Sequence, residues 1–115
     1  MTTVDLFQTI DRIVVATRVG GSFIHNGKMI LAVDEQLAEG LGYSPEDLIG
    51  GDVLRFIPQE YRPMIRQRHQ LGTMTPVNLH IQRRDYSRLW MQASVKRIHL
   101  QGEDVLRRIE LRELS

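Results

Sequence analysis

The sequence predicts an α+β fold in which one five-stranded antiparallel sheet carries short helices on one face. Strand-type alternation of apolar residues is confined to residues 22–33 and 77–112, and helix-type spacing occupies the stretch between them. Strands grouped in this way around a helical middle form one sheet instead of alternating β-α-β units. The 115 residues suit one domain. We divide them into an N-terminal helix at residues 1–19 and the sheet domain at residues 20–115.

The N-terminal segment has the pattern of an amphipathic helix. Leu6, Ile10 and Ile13 recur at intervals of three and four, which places them on one helix face. The β-branched run that begins at Ile13 also permits a late switch to strand. We expect the apolar face of this helix either to cover the sheet or to form a dimer contact.

A β-hairpin is predicted at residues 22–33. Asn26-Gly27 separates two strand-like runs, and this dipeptide tolerates the positive φ angles of a two-residue turn. His25, His80 and His99 are interpreted as surface-facing strand residues. No two of these histidines have the spacing of metal ligands, so no metal site is predicted.

Three helical segments are predicted between the hairpin and the later strands. Asp34 is a candidate N-cap for the first, which ends at Gly42. Ser44 and Pro45 begin the second, as a cap and a first helical position. The third runs from Pro58 to about residue 71 and has an apolar stripe. That stripe comprises Ile57, Tyr61, Met64 and Ile65.

Three strands with a period of two complete the predicted sheet, and their short connections favour antiparallel pairing. Their apolar positions are Val77, Leu79, Ile81, Leu89, Met91, Ala93, Val95, Val105, Ile109 and Leu111. Arg107 interrupts the last apolar face. Either it meets a carboxylate ligand, or a register shift or bulge turns it to solvent. Trp90 falls on the polar face, where we expect the N-terminal helix or a partner subunit to cover it.

The composition of the chain excludes several classes of function and makes others unexpected. The chain has no cysteine, which excludes disulfides, thiolate metal sites and thiol catalysis. Residues 55–97 hold nine basic and two acidic side chains, but the few aromatic residues among them are not expected to serve as stacking platforms, so nucleic-acid binding is not expected. No apolar run is long enough for a membrane span, and the first residues lack the pattern of a secretory signal. We therefore expect a cytoplasmic location and no membrane partner.

Residues 30–53 are ILAVDEQLAEGLGYSPEDLIGGDV and residues 83–90 are RRDYSRLW. These two pieces together resemble the PAS domain family. Residues 83–90 are similar to the family's hairpin pattern R-x-DG-x-x-x-W, with Tyr86 where the family usually has glycine. The family's usual ending, Asp-(Ile/Val)-Thr, is replaced by the sequence from Ile109 to Arg112. The other piece, residues 30–53, is similar to a strand, an acidic residue, a short helix and "GYS-x-EEL-x-G". Its matching residues are Val33, Asp34, Gly42, Tyr43, Ser44, Glu46, Asp47, Leu48 and Gly50.

The resemblance implies a non-enzymatic sensing and dimerisation module of a bacterial-type signalling protein, with an effector domain elsewhere. Such a module can hold a small apolar molecule between its sheet and its helices. Candidate pocket residues are Tyr61, Met64, Ile65, His69, Leu79, Ile81, Met91, Ala93 and Arg107. Candidate residues of a homodimer interface are Leu6, Ile10, Ile13 and Trp90. Alternatives are a stand-alone domain that binds a small apolar or carboxylate molecule, a haem sensor and a small α+β enzyme.

No cofactor is predicted. A flavin adduct of the family's type needs a cysteine, which this chain lacks, and no motif supports non-covalent flavin. Ile65 stands where haem-sensing relatives have their proximal histidine. His69 follows one helical turn later and is the remaining candidate for an iron ligand.

Overall fold

The computed structural model describes residues 18–99 and 105–114. They form five strands, all paired antiparallel. The strands are β1 (Gly20–His25), β2 (Ile30–Val33), β3 (Val77–Gln82), β4 (Arg88–His99) and β5 (Val105–Glu113). Their order across the sheet is β2-β1-β5-β4-β3, so the first hairpin joins the later strands through β5. The predicted fold class is confirmed. Leu6, Ile10 and Ile13 of the predicted N-terminal helix lie outside the described residues.

The helices lie between β2 and β3 in the chain. They are α1 (Glu35–Gly40), α2 (Pro45–Leu48), a 3₁₀ turn (Gln59–Tyr61) and α3 (Arg62–Leu71). None of the described helices is long and apolar enough to cross a membrane.

The start of α1 differs from the prediction that Asp34 caps it. The Asp34 side chain makes no hydrogen bond to the helix. Its Oδ2 instead accepts hydrogen bonds from the backbone N–H of Ser22 at 2.7 Å and from the Ser22 hydroxyl at 3.1 Å. Gly21 permits this close approach, because a Cβ there would lie 2.9 Å from the Cβ of Leu37. The carboxylate therefore fastens the start of α1 to β1.

The short helix α2 follows the sequence pattern closely. Pro45 occupies its first turn, and the Ser44 N–H donates to Oδ2 of Asp47 at 3.4 Å, as in a capping box. After the helix, the Gly50 N–H donates to the Ile30 carbonyl at 2.8 Å. This bond holds the end of α2 against β2.

The first hairpin has a longer loop than the predicted two-residue turn. Strand β1 ends at His25 and β2 begins at Ile30, and the register shifts next to His25. Oδ1 of Asn26 accepts hydrogen bonds from the N–H groups of Lys28 and Met29, each at 3.0 Å. The asparagine side chain thus closes an Asx turn, which replaces the tighter backbone turn that Asn-Gly usually favours.

The core lies between the inner sheet face and the helices. Apolar side chains from both layers fill it, as the strand alternation and the helix spacing predict. Its largest fully buried members are Ile30, Leu37, Leu41, Leu48, Phe56, Leu79, Ile81 and Met91.

Candidate ligand cavity

A cavity of about 490 Å³ lies between α3, residues 52–57 and the inner face of the sheet. This volume falls within the range of roughly 300–1,000 Å³ typical of small-molecule sites. Its walls are mainly apolar. The apolar lining residues are Phe23, Val53, Leu54, Phe56, Ile57, Ile65, Val77, Leu79, Ile81, Ala93, Val95, Ile109 and Leu111.

Six of the nine predicted pocket residues line this cavity, namely Ile65, His69, Leu79, Ile81, Ala93 and Arg107. The other three do not. Met91 is fully buried in the core, and Met64 is half-buried on α3. The Tyr61 hydroxyl lies 2.9 Å from Nδ1 of His80, away from the cavity. Contact of any of these residues with a ligand stays a prediction.

Basic residues dominate the charged part of the lining. Lys28, Arg66, Arg68 and Arg107 line the cavity, and Asp52 is the one carboxylate among the lining residues that the structure describes. Oδ1 of Asp52 accepts a hydrogen bond from the Leu54 N–H at 2.8 Å. The cavity therefore combines apolar walls with a positively charged end.

Arg107 remains on the inner face of β5. The strand pairs regularly through this residue, with His25 of β1 on one side and Arg97 of β4 on the other. The register shift or bulge considered for Arg107 is therefore absent. Its guanidinium contacts the His69 ring, with Nη1 2.9 Å from Nε2. Burial and the charge of Arg97 hold the pKa of Arg107 below its ordinary value.

His25 is buried, and its interpretation as a surface residue is wrong. It is only 5% exposed, and its Nδ1 accepts a hydrogen bond from the Gly27 N–H at 2.9 Å. The His25 and His69 ring centroids are 6.2 Å apart. Burial, followed by the charges of His69 and Arg107, lowers the pKa of His25 to about 4. The signal was in the sequence, because His25 follows Phe23 by two residues and so shares its face.

His69 completes this cluster from the end of α3. A Cβ on Gly27 would lie 3.6 Å from its ring, so the imidazole sits over the β1–β2 loop. Burial, with the neighbouring Arg107, lowers the pKa of His69. Both imidazoles are therefore neutral near pH 7, and each can donate one ring N–H.

Solved structures with the same architecture include light-oxygen-voltage and PAS domains. A light-oxygen-voltage domain studied with a flavin analogue superposes with a TM-score of 0.68 at 16% identity, covering 94% of this chain and 85% of that one. The Drosophila melanogaster Cycle PAS-B domain with bound ethylene glycol gives 0.68 at 13% identity, covering 82% and 99%. A PAS domain from a two-component sensor histidine kinase gives 0.67 at 11% identity, covering 97% and 100%. The chain has the PAS fold. The sequence matches no protein-family model and no curated relative.

In the turn before β4, Tyr86 occupies the position at which the PAS sequence pattern usually has glycine. Tyr86 has a φ of 71°, in the left-handed region that glycine adopts at lower cost. Oδ1 of Asp85 accepts a hydrogen bond from the Ser87 N–H at 2.9 Å and closes the turn. The turn therefore keeps a geometry that suits glycine, with an exposed tyrosine in its place.

The PAS fold here gives no support to haem ligation through His69. Nη1 of Arg107 contacts Nδ1 of His69 and lies 2.9 Å from Nε2, so a guanidinium donor faces the imidazole. An iron ion would have to compete with this guanidinium for the one lone pair of the neutral ring. Within residues 18–99 and 105–114, no three His, Asp or Glu side chains are grouped as a metal site requires.

Trp90 lies on the outer face of the PAS sheet, as its place in the alternation predicts. It is 43% exposed and packs against the His80 ring, with centroids 4.8 Å apart. This is a large aromatic surface open to solvent. Its predicted cover, the helix with Leu6, Ile10 and Ile13, is outside the described residues.

Proposed function

We propose that the chain is a PAS-type signal-sensing and dimerisation module of a signal transduction or regulatory protein. In this proposal it binds a small, mainly apolar molecule between α3 and the sheet, and it performs no catalysis. The observation that carries the proposal is the cavity of about 490 Å³ with apolar walls. Two structures of the same fold support it. The Cycle PAS-B domain has bound ethylene glycol, and another comes from a sensor histidine kinase.

The packing of α3 suggests how binding would be sensed. None of the residues of α3 is buried, although Ile65 packs partly against the core. A ligand in the cavity adds apolar contacts to this helix and so favours one of its positions over others. A ligand shifts such an equilibrium by as much as its affinity differs between the two states.

The outer sheet face is the proposed site of dimerisation. Trp90 is an exposed aromatic residue of the kind that is enriched at protein interfaces. In the proposal, Trp90 and the apolar face of residues 1–19 form the contact between two subunits. An effector domain in the full protein then receives the signal, in a bacterial-type cytoplasmic pathway.

Native mass spectrometry of the purified chain tests both halves of the proposal. We expect a dimer that carries a small-molecule adduct, and we expect Trp90→Ala to weaken the dimer at least about tenfold, in the range of an interface hot spot. Tyr86→Ala is the matched control, because Tyr86 is also an exposed aromatic residue but lies in the turn before β4 and not on the sheet face. A monomer without adduct, unchanged by Trp90→Ala, would contradict the proposal.

A further inference from the structure

One row of the inner sheet face carries basic side chains, although the row beside it is apolar. His25, Arg107 and Arg97 lie side by side on β1, β5 and β4. The next row consists of Phe23, Ile109 and Val95. Like charges directly opposite each other destabilise an antiparallel pair, so an anion close to Arg107 and Arg97 would relieve their repulsion.

The C-terminal end of α3 lies above this row. His69 contacts Arg107, and a Cβ on Gly72 would lie 2.7 Å from Nη2 of Arg97. The carbonyl end of a helix offers about half a negative charge, which offsets only part of two guanidinium charges. Arg68 is occupied elsewhere, because its guanidinium donates to the Thr75 carbonyl.

The described part of the chain supplies no carboxylate to this row. In residues 18–99 and 105–114 the ion pairs are Arg84–Asp47 and Arg88–Glu60, neither of which involves the row. The guanidinium of Arg107 meets a neutral imidazole instead. His25 and Arg107 of this row line one end of a cavity whose walls are mainly apolar.

We infer that the cavity binds an amphipathic monocarboxylate, with its carboxylate at Arg107, His69 and His25 and its apolar body against the inner sheet face. The inference rests on the proposed ligand-binding function and narrows it to a chemical class. Arginine binds a carboxylate with two parallel N–H donors, and each neutral imidazole can add one N–H. Apolar side chains such as Ile109 and Ile65 then bury the rest of the molecule.

A competing source of negative charge lies in the sequence itself. Glu103 and Asp104 belong to the connection between β4 and β5, outside the described residues. If these two carboxylates neutralised Arg107, the cavity would show no preference for an anionic ligand until both were removed. A variant with Glu103→Gln and Asp104→Asn therefore distinguishes internal neutralisation from binding of an external carboxylate.

The test compares octanoate with octan-1-ol, which has the same apolar body and no charge, by titration calorimetry on the full chain. We expect octanoate to bind at least about tenfold more tightly, since a hydrogen bond to a charged group is worth that much or more. Arg107→Gln should abolish the preference, and Arg107→Lys should restore part of it. Arg112→Gln is the matched control, because Arg112 lies on the outer face of the same strand, hydrogen-bonded to Gln92.

Histidine NMR signals provide a second measurement that a purely structural role of Arg107 would not affect. A bound carboxylate favours the charged imidazole, so octanoate should raise the pKa values of His25 and His69, and octan-1-ol should not.

The outcomes separate the two proposals. Equal affinity for octanoate and octan-1-ol overturns the carboxylate inference and leaves the ligand-binding proposal standing. A preference that appears only in the Glu103→Gln, Asp104→Asn variant overturns the inference for the natural chain. If inorganic phosphate at equal concentration displaces octanoate, the site binds anions generally, and the carboxylate assignment is wrong. Failure of both probes to bind, together with the absence of an adduct in native mass spectrometry, overturns the ligand-binding proposal as well.

Discussion

The two ends of the helical layer are packed very differently. At one end, the short helices α1 and α2 together bury Leu37, Ala38 and Leu48 completely. At the other end, α3 is the longest helix in the described part of the chain and buries none of its residues. The difference indicates that the α1–α2 end holds the fold together, and that the α3 end leaves space next to the sheet.

The sequence of α3 explains its looser packing. It carries three arginines, Arg62, Arg66 and Arg68, and its apolar residues Met64 and Ile65 are only half-buried. Segments with few buried apolar contacts open at lower free energy than the core. A ligand-responsive element is therefore expected at α3 and not at α1 or α2.

The largest expected effect is on the free energy of unfolding, and it tests the difference between the two ends directly. Leu37→Ala should lower the free energy of unfolding by about 2 to 5 kcal/mol, because it removes a fully buried side chain and leaves a cavity. Ile65→Ala should cost only about 1 kcal/mol, since Ile65 is half-buried and already borders open space. Urea denaturation of both variants measures the difference.

A reversal of that order would remove the distinction between the two ends. If Ile65→Ala destabilised the chain as much as Leu37→Ala, α3 would be part of the rigid core. Binding of octan-1-ol offers the complementary control. We expect Ile65→Ala to change its affinity and the conservative variant Leu37→Met to leave it unchanged.

The second prediction concerns His25, at the α3 end. Its folded-state pKa of about 4 lies below the ordinary value of 6.5, so the unfolded chain takes up a proton that the folded chain excludes. Stability is therefore fully present above pH 6.5 and declines as the pH falls through 4, by about 3 kcal/mol from this group. Urea denaturation at a series of pH values measures the loss.

His25→Asn should reduce this pH dependence, because asparagine does not titrate and its side-chain oxygen can still accept the Gly27 N–H. Carboxylates that titrate in the same range are common to both proteins, so the difference between the two curves reports on His25. Histidine ring signals in NMR give the direct check. A midpoint for His25 at or above 6.5 would mean that its ring is solvated, contrary to the packing described.

The sheet and the α1–α2 end could be predicted from the sequence because they depend on local signals. Period-two alternation located β3, β4 and β5, and the Ser44–Pro45 pair located the start of α2. The role of Asp34 could not be predicted in the same way. Its partner, Ser22, lies twelve residues away on another strand, and only the folded chain brings the two together.

The charged end of the cavity was harder to predict for a similar reason. Arg107, His25 and His69 come from two strands and a helix, and their proximity depends on the strand order β2-β1-β5-β4-β3. Sequence alternation alone identified Arg107 as an exception on an apolar face. It did not reveal that His25 and Arg97 lie beside Arg107 on the two adjacent strands.

The smallest expected effect on stability concerns Asp34, whose carboxylate fastens the α1–α2 end to β1. Asp34→Ala should lower the free energy of unfolding by about 1 to 2 kcal/mol, because the N–H of the buried residue Ser22 loses its charged acceptor. Asp34→Asn should cost less, since its amide oxygen can still accept one of the two bonds. The control is Glu35→Gln, at an exposed position in the first turn of α1, which should change the free energy of unfolding by under about 0.5 kcal/mol.

Hydrogen exchange at the Ser22 amide shows where in the chain the effect of Asp34→Ala is felt. Faster exchange there, with little change at the α3 end, would indicate that the two ends open separately, whereas equal acceleration throughout would show that they unfold as one unit.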